Sequence, residues 1–87
     1  MGVIYLDHLS GTPLHPRVKE AMIHHINTVY GNPVSDHQVG QAASQALERA
    51  RVQVAALINA DPTEIVFESG GTESVNHAIK GVAIGMR

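Results

Sequence analysis

The segment of this sequence best suited to chemistry is the run Ser69-Gly70-Gly71-Thr72, which follows a short apolar stretch at 64–68. Paired glycines let a backbone approach a ligand closely and adopt positive φ where needed. If a helix begins here, the free N–H groups of its first turn and its dipole attract an anion. Thr72 is then suited to act as an N-cap or to donate its hydroxyl to a phosphate oxygen.

The same four residues are also typical of a tight turn that only caps a helix. The pattern is not a P-loop, because G-x-x-x-x-G-K-[ST] is absent, and it is not the dinucleotide-binding G-x-G-x-x-G. The residues by themselves therefore leave two interpretations open, an anion site and a structural cap.

Hydrophobic periodicity predicts the elements that position this turn. Apolar residues at spacings of three and four favour helices, and a short β-branched run before a glycine turn favours a buried strand of a covered sheet. The predicted elements are an extended arm at 3–6, helices at 16–29, from Asp36 or His37 to about Asn59 and after Thr72, and a strand at 64–68. Because one strand leaves two edges unpaired and the last helix has no stop signal, we expect a sequence that is cut short.

Composition narrows the class of protein. The 87 residues, 44% hydrophobic and 16% charged, suit one globular unit. A net charge of −2 with interleaved signs gives no footprint for nucleic acid or an anionic membrane. The absence of cysteine excludes disulfides, thiolate metal sites and a cysteine nucleophile within these residues. With no basic leader and no apolar run of about 18 residues, we expect a cytoplasmic protein.

The histidines do not form a recognisable metal pattern. His24 and His25 are adjacent, so on a helix they point in different directions. His77 follows Glu73 by four residues, an ordinary helical neighbour. His37 ends the block N-P-V-S-D-H and is assigned no catalytic task. No metal site is predicted.

Four blocks of the sequence resemble the N-terminal stretch of cysteine desulfurases in order and spacing, from Tyr5 to Gly81. They are YLDHLSGTPLHPRVKEAM, YGNPVSDHQVG, the long Ala/Arg-rich helix and DPTEIVFESGGTESVNHAIKG. The most specific part is S-G-G-T-E-S-x-N-x-A-I-K-G. Cysteine desulfurases belong to the class V aminotransferase group of fold-type I pyridoxal-phosphate enzymes.

The resemblance implies an α/β fold with a mostly parallel sheet, of which residues 1–87 form a single incomplete unit. Residues 1–35 would supply the N-terminal arm and first helix near the smaller domain, and 36–87 the start of the large cofactor-binding domain. Family members are usually homodimers. For this chain the expectation is a homodimer or a swapped oligomer, because its helices carry apolar stripes larger than a monomer normally exposes.

The resemblance also implies the site. Gly71 and Thr72 occupy the positions that bind the phosphate of pyridoxal 5'-phosphate in this family. The family's ring-stacking histidine, ring-nitrogen aspartate, Schiff-base lysine and mobile-loop cysteine cannot be assigned here, so no catalytic residue is predicted. Lys19 and Lys80 lie on helix faces outside the Schiff-base motif, and we expect both to be surface charges. The chain alone is expected to be inactive.

The implied activity of the parent enzyme is removal of sulfur from L-cysteine or a related amino acid, leaving L-alanine. The sulfur passes to a protein thiol, so a sulfur-acceptor protein is an expected partner, as in iron–sulfur cluster assembly. Where the family usually has Asn-Ala-Ala-Thr-Thr-Pro, this sequence has His8-Leu9-Ser10-Gly11-Thr12-Pro13. That departure leaves the substrate open, with selenocysteine cleavage or transamination as alternatives. A non-catalytic interaction or assembly fragment is the alternative from another class.

Overall fold

The computed structural model describes residues 2–86 and contains three α-helices in this range. They are α1 (Pro16–Thr28), α2 (Gln38–Leu57) and α3 (Gly71–Gly85), with a short 3-10 turn at Pro62–Glu64 between the last two. The three predicted helices are confirmed, with ends within about two residues of the expected positions. No helix in this part of the chain is long and apolar enough to cross a membrane.

The predicted strand at 64–68 is not confirmed. Glu64 belongs to the 3-10 turn, and Ile65 has extended backbone angles, φ −99° and ψ 126°, without any ladder partner. A strand is stabilised by hydrogen bonds to a neighbouring strand, and residues 2–86 contain no second extended segment that pairs with it. The helical part of the α/β expectation is therefore present in residues 2–86, and its sheet strand is not confirmed there.

The chain divides into two compact units, one ending at Glu48 and the other beginning at Arg49. The first contains the arm, α1 and the beginning of α2. The second contains the end of α2, the 3-10 turn and α3. The predicted boundary between 1–35 and 36–87 concerns domains of a longer parent enzyme and stays a prediction.

In the first unit, imidazole rings cap two helices. His15 precedes Pro16, and its Nδ1 accepts the Arg17 N–H at 3.1 Å. His37 precedes α2, and its Nδ1 accepts the Gly40 N–H at 3.2 Å. Each ring satisfies one of the amide donors that a helix leaves unpaired in its first turn. The sequence did not predict these caps, because the usual capping residues are Ser, Thr, Asp and Asn.

The loop before α2 packs against Gly40. Asn32 starts this loop: its backbone oxygen accepts the Ser35 N–H and its side chain accepts the Val34 N–H, both at 3.0 Å. Gly40 is buried, and a Cβ there would lie 2.7 Å from both the Asn32 oxygen and the Ser35 Cβ. The close approach of backbone to backbone is therefore the reason for glycine inside this helix.

We expect Gly40→Ala to lower the helix content of the chain. In a helix interior, glycine to alanine normally stabilises by about 0.5–1 kcal/mol. At Gly40 the added methyl would press on backbone atoms that cannot move aside easily, and overpacking of this kind costs about 1–3 kcal/mol. Far-ultraviolet circular dichroism during a urea titration measures the effect.

The matched control for that substitution is Gly81→Ala inside α3. Its Cβ would meet only the His77 ring carbon Cδ2 at 3.8 Å, which is ordinary van der Waals contact. We therefore expect Gly81→Ala to raise helix content. Equal gains from both substitutions would show that the loop does not pack on Gly40 as described.

In the second unit, α2 ends at Leu57, and Asn59 two residues later has the left-handed conformation, φ 56°. The Ala60 N–H bonds to the Ala55 oxygen at 2.8 Å, and the Asn59 N–H approaches the Ala56 oxygen at 3.4 Å. This pair of bonds is the Schellman arrangement, which satisfies the last carbonyl groups of a helix. The helix therefore stops two residues before the end expected from its apolar spacing.

Asp61 then starts the 3-10 turn. Its Oδ1 accepts the Thr63 N–H at 2.9 Å and the Thr63 hydroxyl at 2.8 Å, while Glu64 reaches back to the Asp61 N–H at 3.4 Å. The backbone and then the side-chain hydrogen bonds from Thr63 lower the pKa of Asp61 below its ordinary value. These bonds form a capping box at the start of the 3-10 turn.

Little apolar surface is buried within the described residues. Ala43 at 7% exposure and Ala55 at 1% are the hydrophobic side chains that are buried. The apolar stripe of α1 is exposed, with Val18, Met22 and Ile26 at 47%, 48% and 70%. The helices therefore present faces that this chain does not itself cover.

Candidate anion-binding site at the start of the third helix

The predicted site residues lie at the first turn of α3. Gly71 is the first helical residue and Thr72 the second, while Gly70 occupies the N-cap position. No side chain makes a capping hydrogen bond at this end. The alternative in which Thr72 serves as N-cap is therefore wrong, because its position lies inside the helix.

The first turn keeps its hydrogen-bond donors available. The earliest intrahelical bond joins the Ser74 N–H to the Gly70 oxygen at 3.1 Å. Within residues 2–86, the N–H groups of Gly71, Thr72 and Glu73 have no acceptor, and the Thr72 hydroxyl has no partner. Such donors at the positive end of a helix dipole form a site suited to an anion.

These glycines do not use the left-handed conformation that glycine permits. No glycine in the described range has a positive φ in the left-handed region, and Gly70 at φ 168° and ψ −179° is simply extended. What glycine provides here is space. A Cβ built on Gly70 or on Gly71 meets nothing within 4 Å. The backbone of the turn is thus open to close approach from outside the chain.

The segment that leads into the turn is held against α2 within the second unit. The Arg51 guanidinium donates to the backbone oxygen of Ile65 and lies 5.2 Å from the centre of the Phe67 ring. A cation over an aromatic face is attracted by the ring's electrons, so one side chain fixes two points of the segment. This contact positions residues 65–67 without the help of a sheet.

Three side-chain contacts then cross the turn itself. The Ser69 hydroxyl donates to Glu73 Oε2 at 2.5 Å, and the Ser74 hydroxyl donates to the Gly70 oxygen at 3.0 Å. The third contact joins His77 Nδ1 to Glu68 Oε1, over nine residues of sequence. Residues 68–70, before the helix, are each tied to a residue of α3.

The contact with His77 lowers the pKa of Glu68 below its ordinary value, with a further contribution from Ser74. A carboxyl whose pKa is lowered on folding stabilises the fold above its ordinary pKa. That contribution is lost as the pH falls through the lowered value. The stability that the lowered Glu68 pKa contributes is therefore present at neutral pH and is lost in acid, as the pH falls from the ordinary value of 4.5 through the lowered pKa.

The sequence did not predict the Glu68–His77 pair. Helix rules compare residues three or four apart, and these two are separated by a turn. His77 was interpreted only as a neighbour of Glu73, which instead bonds to Ser69. The signal that could have suggested the pair is the presence of an acidic residue, Glu68, just before the glycine turn and an imidazole, His77, in the helix just after it.

His24 and His25 belong to α1 and not to the turn at residues 69–72. The rings of His24 and His25 are 5.4 Å apart and nearly perpendicular, and each contacts its own helix. No group of three His, Cys, Asp or Glu side chains that could hold a metal is found among the described residues. Lys19 lies on α1, and Lys80 lines a shallow concavity beside Glu68 and His77.

In the first unit, the N-terminal arm folds into a small closed loop. The Tyr5 hydroxyl lies 2.9 Å from the Asp7 oxygen and 2.8 Å from the Gly11 oxygen, and its ring meets His8 edge-on. The Ser10 hydroxyl donates to Asp7 Oδ1 at 3.0 Å. The segment that departs from the usual family sequence thus has a defined local structure.

The family to which this chain belongs is shown by its match to a protein-family model. The family model described as aminotransferase class-V matches residues 4–86. The chain belongs to this family. The resemblance inferred from the four sequence blocks is confirmed over nearly the whole chain.

Curated relatives carry the name cysteine desulfurase. The chain is 54% identical over 81 residues to the cysteine desulfurase IscS of Neisseria gonorrhoeae and 57% identical over 81 residues to that of Dechloromonas aromatica. It is 56% identical over 81 residues to the cysteine desulfurase of Rattus norvegicus. Each match covers 92% of this chain but only 18–20% of the relative. The chain therefore spans about one fifth of the length of these enzymes.

No solved structure matches the chain significantly. Cysteine desulfurases are pyridoxal-phosphate-dependent transferases, and the family to which the chain belongs uses this cofactor. The positions of Gly71 and Thr72 as phosphate ligands stay a prediction.

Proposed function

We propose that this chain is the N-terminal part of a pyridoxal-phosphate-dependent cysteine desulfurase and contributes the cofactor-phosphate site. The whole enzyme would convert L-cysteine to L-alanine and pass the sulfur to a protein thiol. The observation that carries the proposal is the uncapped first turn of α3, with Gly71 and Thr72 at its start, in a chain of this family. A cytoplasmic homodimer that meets a sulfur-acceptor protein is part of the same proposal.

The turn has the chemistry that a phosphate group requires. Three backbone N–H groups and one hydroxyl are without acceptors, and open space adjoins both glycines. Bound cofactor supplies an electron sink for chemistry at the substrate's α-carbon. The task of Gly71 and Thr72 is to hold the phosphate, Gly71 through its backbone and Thr72 through its N–H and hydroxyl.

Glu73 adds a negative charge in this first turn, which opposes a second anion. The Ser69 hydroxyl donates a hydrogen bond to Oε2 of this carboxylate at 2.5 Å. A basic side chain from the remainder of the enzyme would offset this charge. We expect no catalytic residue in this chain, because Lys19 and Lys80 lie on α1 and α3 outside the turn and the sequence has no cysteine.

The proposal can be tested in a joined enzyme, in which this chain replaces the 81 matched residues of the Dechloromonas aromatica cysteine desulfurase. We expect the joined enzyme to bind pyridoxal phosphate. Thr72→Ala removes one charge-assisted hydrogen bond, worth about 1.5–3 kcal/mol. The dissociation constant of the cofactor should rise roughly 10- to 150-fold.

Thr72→Ser is the matched control, because it retains the hydroxyl and should bind cofactor almost as well as the unaltered joined enzyme. Thermal unfolding of the cofactor-free forms separates binding from stability. An unchanged dissociation constant for Thr72→Ala would contradict the phosphate site. A joined enzyme that never takes up the cofactor would contradict the proposed function as a whole.

Another class V enzyme, a selenocysteine lyase or an aminotransferase, is the second candidate. The observation that favours it is the arm, where His8 and Ser10 lie in a closed loop at positions that differ from the usual family sequence. Turnover of cysteine, selenocysteine and a keto-acid acceptor by the joined enzyme, beside the unaltered relative, distinguishes the candidates.

A further inference from the structure

We propose that Glu68 and His77 are positioning residues for the cofactor phosphate: their contact across the glycine turn fixes the first turn of α3 in its binding conformation. This inference rests on the proposed function and extends it to two residues outside the phosphate-binding turn. Neither side chain is proposed to contact the phosphate. They act through the backbone of Gly70 and Gly71.

Gly70 and Gly71 restrain their own backbone conformation less than other residues would. Glycine loses more backbone freedom on ordering than any other residue, and fixing one residue costs about 1–2 kcal/mol. A Cβ on either glycine would meet nothing within 4 Å, so no neighbouring group fills the space beside their α-carbons. An anion site made of N–H groups nevertheless needs those groups aimed in advance, since ordering them on binding lowers affinity.

The restraint comes from the flanking side chains. Among the three contacts that cross the turn, the Glu68–His77 contact spans the greatest sequence distance, nine residues. The Ser69–Glu73 and Ser74–Gly70 contacts each span four residues and lie closer to the turn. The long contact therefore closes a loop that contains both glycines and the whole first turn of α3.

The burial of the pair is asymmetric and suits this role. The Glu68 side chain is 10% exposed, whereas His77 is 60% exposed. A mostly buried carboxylate requires hydrogen-bond donors, so losing the imidazole would remove the main partner of Glu68 and leave only the smaller contribution of Ser74. The imidazole can donate from Nδ1 when charged and in one neutral tautomer, so the contact does not depend on a positive charge.

Other charged groups lie close to the pair. Glu73 and Lys80 line the same shallow concavity as Glu68 and His77. Glu73 bonds to Ser69, whereas Lys80 has no hydrogen bond or ion pair to another described residue. Lys80 thus provides a charged control on the same helix face.

The experiment is a double-mutant cycle in the joined enzyme, with cofactor dissociation and thermal unfolding of the cofactor-free form measured for each variant. We expect His77→Ala and Glu68→Ala each to raise the cofactor dissociation constant about five- to tenfold, the equivalent of releasing roughly one backbone residue. The double variant should lose no more than either single variant, because one contact is removed in all three.

Two conservative substitutions and one control sharpen the result. His77→Gln keeps an N–H donor and Glu68→Gln keeps an acceptor, so both should restore most of the affinity. Lys80→Gln should leave the dissociation constant unchanged. A purely structural role would lower the melting temperature and leave cofactor affinity intact, and that outcome would overturn the inference.

These measurements distinguish a failure of the positioning role from a failure of the proposed function. If Thr72→Ala weakens cofactor binding but the His77 and Glu68 variants do not, the phosphate site stands and the positioning role is wrong. If Thr72→Ala has no effect, the proposed phosphate site is wrong, and the positioning role is contradicted with it.

Discussion

The 87-residue chain on its own should show no cooperative unfolding transition as a monomer, and it should self-associate. The hydrophobic side chains buried among the described residues are Ala43 and Ala55, while the large apolar residues of all three helices are exposed. A chain of this length buries only about 60–65% of its unfolded surface even when well packed. Contiguous apolar faces of this kind drive association.

Sedimentation equilibrium and differential scanning calorimetry measure the effect. The apolar side of α3 is the clearest contributor, with Ile79 at 66% and Val82 at 59% exposure. Replacing both with glutamate should reduce the apparent mass toward that of one chain. The control is Gln45→Glu with Gln53→Glu, which adds the same two charges at exposed polar positions of α2. A compact monomer with a single sharp melting transition would contradict the prediction.

The helices were predictable because their signals are local. Pro16 at the first helical position and the apolar spacing that follows are properties of neighbouring residues, and α1 begins at Pro16 as expected. The end of α2 was less accurate, because the left-handed Asn59 stops the helix while its apolar spacing continues. The spacing of apolar residues predicts which face of a helix is apolar more accurately than it predicts the residue at which the helix ends.

The strand could not be established from this sequence, because a strand depends on a partner. Residues 64–68 have the composition of a buried strand, and Ile65 is extended, but no neighbouring strand lies within the described residues. Arg51 contacts this segment instead, at Ile65 and Phe67. Composition predicted an extended conformation, which Ile65 has, while the strand itself is not confirmed within the described residues.

At the candidate site, the sequence located the turn but not the reason for its glycines. A pair of glycines is compatible with positive φ, with close approach of a ligand, or with tight packing, and the letters do not distinguish these uses. The structure excludes the left-handed conformation at both glycines and shows open space where a Cβ would lie on either one. Close approach of a ligand is compatible with this open space and stays a prediction.

Gly71→Val is the substitution expected to weaken cofactor binding most in the joined enzyme. Gly71 is the first residue of α3, and its N–H and Cα would lie against the phosphate. A branched side chain there obstructs the approach of the backbone, so contacts from several donors are lost together. We expect the cofactor dissociation constant to rise on the order of 100-fold or more, about 2.7 kcal/mol, which exceeds the central effect of Thr72→Ala.

The fold of the chain should tolerate this change, which makes the result interpretable. A Cβ at Gly71 meets nothing within 4 Å, so the first added carbon has open space around it. Gly71→Ala, with one small methyl group, should reduce affinity much less than valine and serves as the graded control. Cofactor titration of both variants, beside thermal unfolding of the cofactor-free forms, is the measurement. Equal affinities for glycine, alanine and valine at this position would mean that the phosphate does not approach Gly71, and the site would have to lie elsewhere.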